Sequence, residues 1–284
     1  MNKNFFRAWT PEMAYVLGFI AADGWISGNR TLGIELNDSD LDHLKKICAL
    51  IEHDSTTIEP CPERDSVRLC IYSVDIVKDL NNLGIFSNKS LNLKWNNPPK
   101  EVLFHFTRGY LDGDGCICRF FHTPSLQDEI SISFSGTFNF LTGLQIALEL
   151  DGSISLDSPC CLSYGGRYQT LKLGKLLYLD STNSTRMERK FKIFNKFEKE
   201  FEHILNEKRK GGFNYNWFAP TAKLNSTIAE EIRARKGIET ANILAAKFNV
   251  SPSTIYRIWS NQIWPSNLTK QSQDNRFLRQ LTCE

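Results

Sequence analysis

The chain has 284 residues, 41% of them hydrophobic and 23% charged, which is enough apolar material for two or three packed domains and excludes a disordered chain. No run approaches the roughly 18 uninterrupted apolar residues of a membrane helix; the opening Met1 to Thr10 has no apolar stretch of signal-peptide shape behind it, and a cytoplasmic protein is expected. The net charge of +2 conceals an uneven distribution: Arg186 to Lys270 holds 16 Lys and Arg against 8 Asp and Glu, a net of +8, whereas Met1 to Thr185 has a net of −6, so the last third is the part suited to nucleic acid.

In chain order, the first element is an apolar helix, Tyr15-Val-Leu-Gly-Phe-Ile-Ala-Ala-Asp23-Gly24. A strand follows at Thr31 to Leu36. A helix opens at Asp38-Ser39 and runs to Leu50, strands are expected at Thr56 to Glu59 and Val67 to Tyr72, and a helix at Val74 to Leu83 closes the set. The same order then recurs. Thr107-Arg-Gly-Tyr-Leu-Asp-Gly-Asp114-Gly115 repeats the opening segment, with Asp114 lying 91 residues after Asp23. Glu129 to Ser135 is the next strand and Gly136-Thr137 opens a helix to Leu150. Strands are expected at Ser153 to Leu156 and Tyr168 to Leu173, and helix at Lys175 to Leu179 and again from Met187. Each half is read as α-β-β-α-β-β-α, with three of its four strands placed, giving an α+β fold of two pseudo-symmetric repeats with antiparallel sheets, over residues 1–104 and 105–206. A basic linker is expected over 207–224. It is followed by a small all-α unit over 225–268 with helices at Ile228 to Arg235, Thr240 to Phe248 and Ser251 to Ser260, the last opened by a Ser N-cap and a Pro at its first position.

The glycines of the two opening segments carry the first functional argument. Gly18 and Gly109 each stand inside an apolar helix, five residues before the key Asp, although Gly costs a helix about 1 kcal/mol relative to Ala. Close approach of two backbones is a return for that cost. Two helices packed glycine to glycine bring Asp23 and Asp114 together, with Gly24 and Gly115 expected in the left-handed conformation that ends a helix. Adjacent carboxylates repel unless a cation lies between them, which is a way to build a site for Mg²⁺. A calcium loop at Asp112 to Cys116 fails for want of its later ligands. Cys116, Cys118 and His122 have no second ligand pair for zinc, so the eight cysteines are expected as reduced thiols.

The two segments resemble the paired motifs of LAGLIDADG homing endonucleases in their single-chain, two-repeat form, over roughly Tyr15 to Asn206. The resemblance implies that each motif is a helix at the interface between repeats, and that Asp23 and Asp114 bind the catalytic metal. Ala21 departs from Asp112 at a position that does not bind metal in the family. It also implies a catalytic lysine after the last strand and helix of each repeat, at Lys89 in Leu83-Gly-Ile-Phe-Ser-Asn-Lys89 and at Lys190 in Ser184-Thr-Arg-Met-Glu-Arg-Lys190, with Arg189 as the alternative to the latter. In such a fold the sheets lie over the major groove. Candidate contacts in or beside strands are then Arg30, Glu35, Arg64, Arg68, Arg119, Arg167, Gln169 and Lys172, with Lys208, Arg209 and Lys210 as an arm across phosphates. The string Ala-Ala-Lys-Phe-Asn-Val-Ser-Pro-Ser-Thr-Ile-Tyr-Arg-Ile resembles the helix-turn-helix at the C-terminus of many homing endonucleases. It would present Ser251, Ser253, Thr254, Tyr256 and Arg257 to DNA.

The expected function is a site-specific, Mg²⁺-dependent double-strand cut in a long DNA target by phosphodiester hydrolysis. The expected partner is double-stranded DNA, met by a monomer with no small-molecule cofactor. An RNA maturase that assists intron splicing, or a non-cleaving DNA-binding regulator, would use the same fold; the presence of both Asp23 and Asp114 favours the nuclease.

Overall fold

The computed structural model describes residues 1–122, 127–210 and 226–260. The chain divides into two compact units, Met1–Phe213 and Asn214–Glu284.

The first unit opens with α1 (Pro11–Asp23). Thr10 caps it, its hydroxyl accepting from Met13 N at 3.1 Å, and Pro11 occupies the first turn, where a missing N–H is harmless. Every residue from Met13 to Ala22 is buried, as expected of a helix that is apolar all round. The chain passes directly into β1 (Gly24–Ser27) and β2 (Thr31–Asn37), and a short 3-10 turn capped by Asn37 leads to α2 (Leu41–Leu50). Next come β3 (Ile58–Cys61), β4 (Ser66–Tyr72), α3 (Val74–Asn82) and the one-turn α4 (Lys89–Asn92).

The second repeat has α5 (Leu103–Asp112), β5 (Gly115–His122), β6 (Gln127–Gly136), α6 (Phe138–Leu148), β7 (Ser153–Ser155), β8 (Cys160–Tyr164), α7 (Arg167–Tyr178) and α8 (Glu188–Lys210). The two four-stranded sheets are antiparallel throughout and share one order, β1-β2-β4-β3 and β5-β6-β8-β7. In each, alternation sends one row inward, such as Leu32, Ile34 and Leu36 or Ile130, Ile132 and Phe134, and leaves the other face open.

The repeat is thus present as read, with two corrections. Tyr168 to Leu173 is not a strand. The fourth strand is β8, and the residues after Gly165-Gly166 form α7, because Thr170, Leu171, Leu173, Gly174, Leu177 and Tyr178 make a buried stripe at helical spacing. The segment Leu171-Lys-Leu-Gly also satisfies strand alternation, which is why it misleads. The first residues assigned to the linker, 207–210, are helical, and the remainder of 207–224 includes residues 211–224, outside the described residues.

The second unit contains α9 (Ser226–Ala234), α10 (Ala241–Lys247) and α11 (Pro252–Trp259). Thr240 and Ser251 cap the last two. Ala229, Ile232, Leu244, Ala245, Ile255 and Ile258 form its core. Asn249, with φ 52°, makes the turn between α10 and α11, a backbone conformation Asn tolerates.

α1 and α5 are locked through their glycines. A Cβ on Gly18 would strike the Phe106 carbonyl oxygen, and one on Gly109 would strike the Tyr15 carbonyl oxygen. Ala at either position would gain helix propensity, so only the lost contact can make it destabilising. Gly18→Ala and Gly109→Ala are each expected to lower unfolding free energy by about 1–3 kcal/mol in urea titrations. Gly165→Ala, with open space around it and no positive φ, should leave it unchanged.

Candidate active site

The interlocked helices end side by side at Asp23 and at Asp112-Gly113-Asp114. The Asp23 carboxylate lies over Gly113, where an added Cβ would sit 3.3 Å from Asp23 Oδ2. The expected left-handed stops are absent: Gly24 is extended, with φ −75° and ψ 158°, and Gly115 is not among the positive-φ glycines. Both residues lead straight into strands. They are glycines for space, since a Cβ would come within 2.8 Å of the Ile20 carbonyl at Gly24 and within 2.6 Å of the Leu111 carbonyl at Gly115.

Two buried lysines close the ends of these helices. Lys89, 8% exposed, is turned inward by Asn88 in the left-handed region (φ 58°) and donates to the Ala22 carbonyl. Lys190, 4% exposed, donates to the carbonyls of Leu111 (2.7 Å), Asp112 (2.8 Å), Gly113 (3.2 Å) and Gly115 (2.7 Å). Each ammonium therefore satisfies carbonyls at a helix C-terminus that have no partner within the helix. The electrostatics run crosswise. Lys89 bonds the first motif, yet its strongest charge partner is Asp114, while Lys190 bonds the second motif and also feels Asp23.

Burial, then repulsion from Asp114, lifts the Asp23 carboxyl to about 6, with Lys190, Lys89 and Arg189 opposing. Asp114 is open to solvent on one side, but the protein behind it still raises its carboxyl, again against the two lysines. Burial lowers both lysines. This is a compact group of two carboxylates held partly desolvated in mutual range, with two ammonium groups. Hard oxygen donors of this kind fit Mg²⁺, which keeps waters and takes one or two carboxylates. Among the described residues no group of three or more metal-ligating side chains occurs, so protein ligands would be limited to this pair.

Arg189 is engaged elsewhere. It makes a forked pair with Asp40, Nε–Oδ1 3.0 Å and Nη2–Oδ2 3.0 Å, leaving the buried lysine position to Lys190.

Beneath the pair is a network that the sequence reading missed. Asp112 is 1% exposed, and its Oδ2 accepts from Tyr15 Oη (2.7 Å) across the helix interface and from Met187 N (2.7 Å). His43 Nε2 is 3.0 Å from Tyr15 Oη. Because the tyrosine proton points to Asp112, the neutral ring donates from Nε2. Burial holds His43 near 3, and its Nδ1 is without a partner among the described residues. Buried Arg108 donates to the carbonyls of Thr185 (2.6 Å) and Leu177 and stands 5.4 Å above the Tyr15 ring. The available signal was polarity itself: Arg108 and Asp112 lie within a buried helical segment, and buried polar groups demand partners.

The remaining candidates separate by location. On the open face of the first sheet, Glu35 accepts from Ser66 Oγ (2.7 Å) and from Arg68 Nε (3.0 Å) and Nη2 (2.8 Å), with Arg64 3.6 Å away. The Ser66 bond, then Arg68, pulls its carboxyl down. Arg30 is exposed in the β1–β2 turn. Arg119 points away from the open face of the second sheet and pairs with Glu200 on α8. Arg167, Gln169 and Lys172 lie on α7 rather than a strand. Arg167 stands 5.6 Å above the Phe201 ring, Gln169 donates to the Asp151 carbonyl, and Lys172 is exposed. Lys208, Arg209 and Lys210 end α8, but their side chains lie outside the described residues. In the second unit Ser251 caps α11 and its hydroxyl is 2.8 Å from those of Ser253 and Thr254; Tyr256 (60% exposed) and Arg257 are open to solvent.

No family model matches the chain, and no curated protein does. Solved structures do. The LAGLIDADG meganuclease I-AabMI, bound to uncleaved DNA, superposes with a TM-score of 0.51 at 12% identity, over 70% of this chain and 92% of that one. The fold is LAGLIDADG-like. The homing endonuclease I-GzeII with its DNA target gives 0.47 at 13% identity, over 74% and 95%. Full-length WhiA from Thermatoga maritima gives 0.43 at 12%, over 91% and 93%.

The raised Asp23 carboxyl has a consequence for stability. Its folded value of about 6 exceeds the unfolded value near 3.9, so the fold favours the protonated form and its contribution to stability falls as pH rises from about 4 to about 6. In metal-free buffer, Asp23→Asn is expected to match the wild type at pH 4 and to exceed it at pH 7 in thermal unfolding. A difference that does not grow with pH would show that Asp23 is not held out of water beside Asp114.

Proposed function

We propose that the chain is a site-specific homing-type DNA endonuclease that cuts both strands of a long target by metal-dependent phosphodiester hydrolysis. The observation that carries this reading is the placement of Asp23 and Asp114 at the ends of two interlocked, pseudo-symmetric helices, each end held by a buried lysine. An arrangement symmetric in its chemistry suits a substrate with two antiparallel strands and one equivalent phosphodiester on each.

Asp23 and Asp114 would hold Mg²⁺. Bound there, the ion would supply Lewis-acid stabilisation of charge building on the phosphate and the leaving oxygen. The residues of the chain have distinct tasks. The carboxylates resist sharing a site until a cation offsets their repulsion, which makes occupancy depend on both. Lys89 spends one N–H on the Ala22 carbonyl and keeps others for a phosphate oxygen or an attacking water. Lys190 is surrounded by four carbonyls, so its part is to fix the Asp112 to Gly115 turn and with it the direction of Asp114. The open sheet faces would lie in the major groove. Glu35, Arg64 and Arg68 would serve the first sheet, and the hydroxyls and thiols of β5, β6 and β8 the second. The second unit would add Ser251, Ser253, Thr254, Tyr256 and Arg257 from the start of α11. The same surfaces would give the salt-dependent affinity of a phosphate-neutralising protein.

The test is cleavage of a randomised duplex library with Mg²⁺, running Asp23→Asn and Asp114→Asn beside the wild type. Double-strand cuts at one long site, lost in both variants and in chelator, are expected. Tight duplex binding without cutting by the wild type would replace the enzyme with a DNA-binding regulator, and binding only of structured intron RNA would replace it with a maturase. Within the nuclease, Lys89→Ala is expected to lower cutting by about a hundredfold or more and to lower the unfolding temperature less than Lys190→Ala does, since it strips one carbonyl of its donor rather than several. Lys190→Ala should lower both, because it strips buried carbonyls of their donor.

A further inference from the structure

Cys116 and Cys118 are two residues apart on β5, and both are exposed. They share the open face because residues i and i+2 of a strand point the same way. Their sulfurs are 3.0 Å apart. Across the sheet they face the small side chains of Ser133 and Ser131. Cys48 is buried, and Cys61, Cys70, Cys160 and Cys161 are half-buried. Among the described cysteines this pair alone combines exposure with a neighbouring thiol in contact.

The pair begins two residues after Asp114. Gly115, between them, gives its carbonyl to Lys190 (2.7 Å), and the Asp114 carbonyl accepts from Ser135 N (3.2 Å). These two bonds hold the start of β5 against the rest of the site. A disulfide would bring the sulfurs to about 2.05 Å and the Cβ atoms to roughly 3.8 Å. In a regular strand, residues i and i+2 have Cα atoms about 6.6–6.8 Å apart, at the long limit of what a disulfide spans. Closing the bond would therefore shorten β5 between Cys116 and Cys118 and pull on Gly115 and Asp114 directly before them.

We propose that Cys116 and Cys118 form a peroxide-reactive dithiol whose closure to a disulfide moves Asp114 and switches off the site; the loss of cutting rests on the nuclease reading above, and the disulfide does not. In the reaction one thiolate attacks a peroxide oxygen, the O–O bond breaks, and one water leaves as the sulfur becomes a sulfenic acid. The second thiol attacks that sulfur, the S–S bond forms, and the hydroxyl departs with the second thiol's proton as another water. Two thiols are oxidised by two electrons and one hydrogen peroxide is reduced to two waters. A thiol reductant reverses the bond by exchange.

The full chain is treated with hydrogen peroxide, alkylated and digested with trypsin. Cleavage after Arg108 and Arg119 releases residues 109–119, which contain these two cysteines and no other. The expected peptide has lost two hydrogens and takes up no alkylating agent, and dithiothreitol restores both thiols. DNA cutting by the oxidised protein is expected to fall by about tenfold to a hundredfold, because an ångström of misplacement at a reacting centre is costly, and to recover on reduction. Each protein is compared with its own reduced form. Cys118→Ser and Cys116→Ser should keep an oxidised-to-reduced activity ratio near one. A 109–119 peptide still carrying two alkylatable thiols overturns the dithiol, and equal inhibition of Cys118→Ser and wild type overturns the switch. Should the reduced wild type cut no DNA, the nuclease reading fails and the dithiol is decided by the peptide alone.

Discussion

Everything in the first unit depends on the approach of two backbones at Gly18 and Gly109. Each glycine lies against a carbonyl of the opposing helix, Phe106 in one case and Tyr15 in the other. The contact is reciprocal and leaves room for no side chain, so it fixes both the separation and the register of α1 and α5. With the register fixed, Asp23 comes to rest over Gly113. The two sheets follow, since each starts at the glycine that ends its motif. The close glycine contact and the carboxylate pair thus lie along the same two helices.

That packing concentrates unlike demands. The helix ends leave carbonyls that need donors, and the two carboxylates need positive charge. Lys89 and Lys190 meet both needs at once, giving hydrogen bonds to the carbonyls beside them and field to the carboxylates around them. The lysines are lowered and the carboxylates raised by the same burial. The lysines oppose the rise of both carboxylates while Asp114 adds to that of Asp23, so the site behaves as one electrostatic unit rather than four independent side chains.

Much of this was legible in the sequence, for definite reasons. Glycine inside an apolar helix is expensive, and its occurrence twice at the same distance from an Asp points to a contact rather than to chance. Three strands of the first repeat are legible to within a few residues, while β1 (Gly24–Ser27), which follows α1 without a break, is not. Tyr168 to Leu173 was misread because Leu171-Lys-Leu alternates like a strand while Thr170, Leu173, Gly174 and Leu177 recur like a helix; only packing against β6 decides between the two periods. The role of Gly24 and Gly115 was right in residue type and wrong in cause, since crowding by Ile20 and Leu111 leaves the same trace in a sequence as a positive φ. The partners of Asp112 could not be read at all. Tyr15 lies 97 residues earlier, and nothing local marks it as a donor. For the same reason the direction of Arg119, toward α8 rather than the open face, depends on register that the sequence does not print.

The Asp112 to Tyr15 bond also bears on how the two repeats relate. The repeats look interchangeable in outline, but Asp112 of one needs Tyr15 of the other, and the place equivalent to Tyr15 in the second repeat is held by Phe106. Pairing the second repeat with a copy of itself would set phenyl rings where the tyrosine hydroxyl stands and leave each buried carboxylate only the Met187 N–H. Pairing the first with itself would put Ala21 beside Tyr15 and leave the hydroxyl only His43. The two halves are therefore complementary at this bond rather than interchangeable. Exchanging either half for a second copy of the other would remove the hydrogen bond that joins the two motif helices through side chains buried in both.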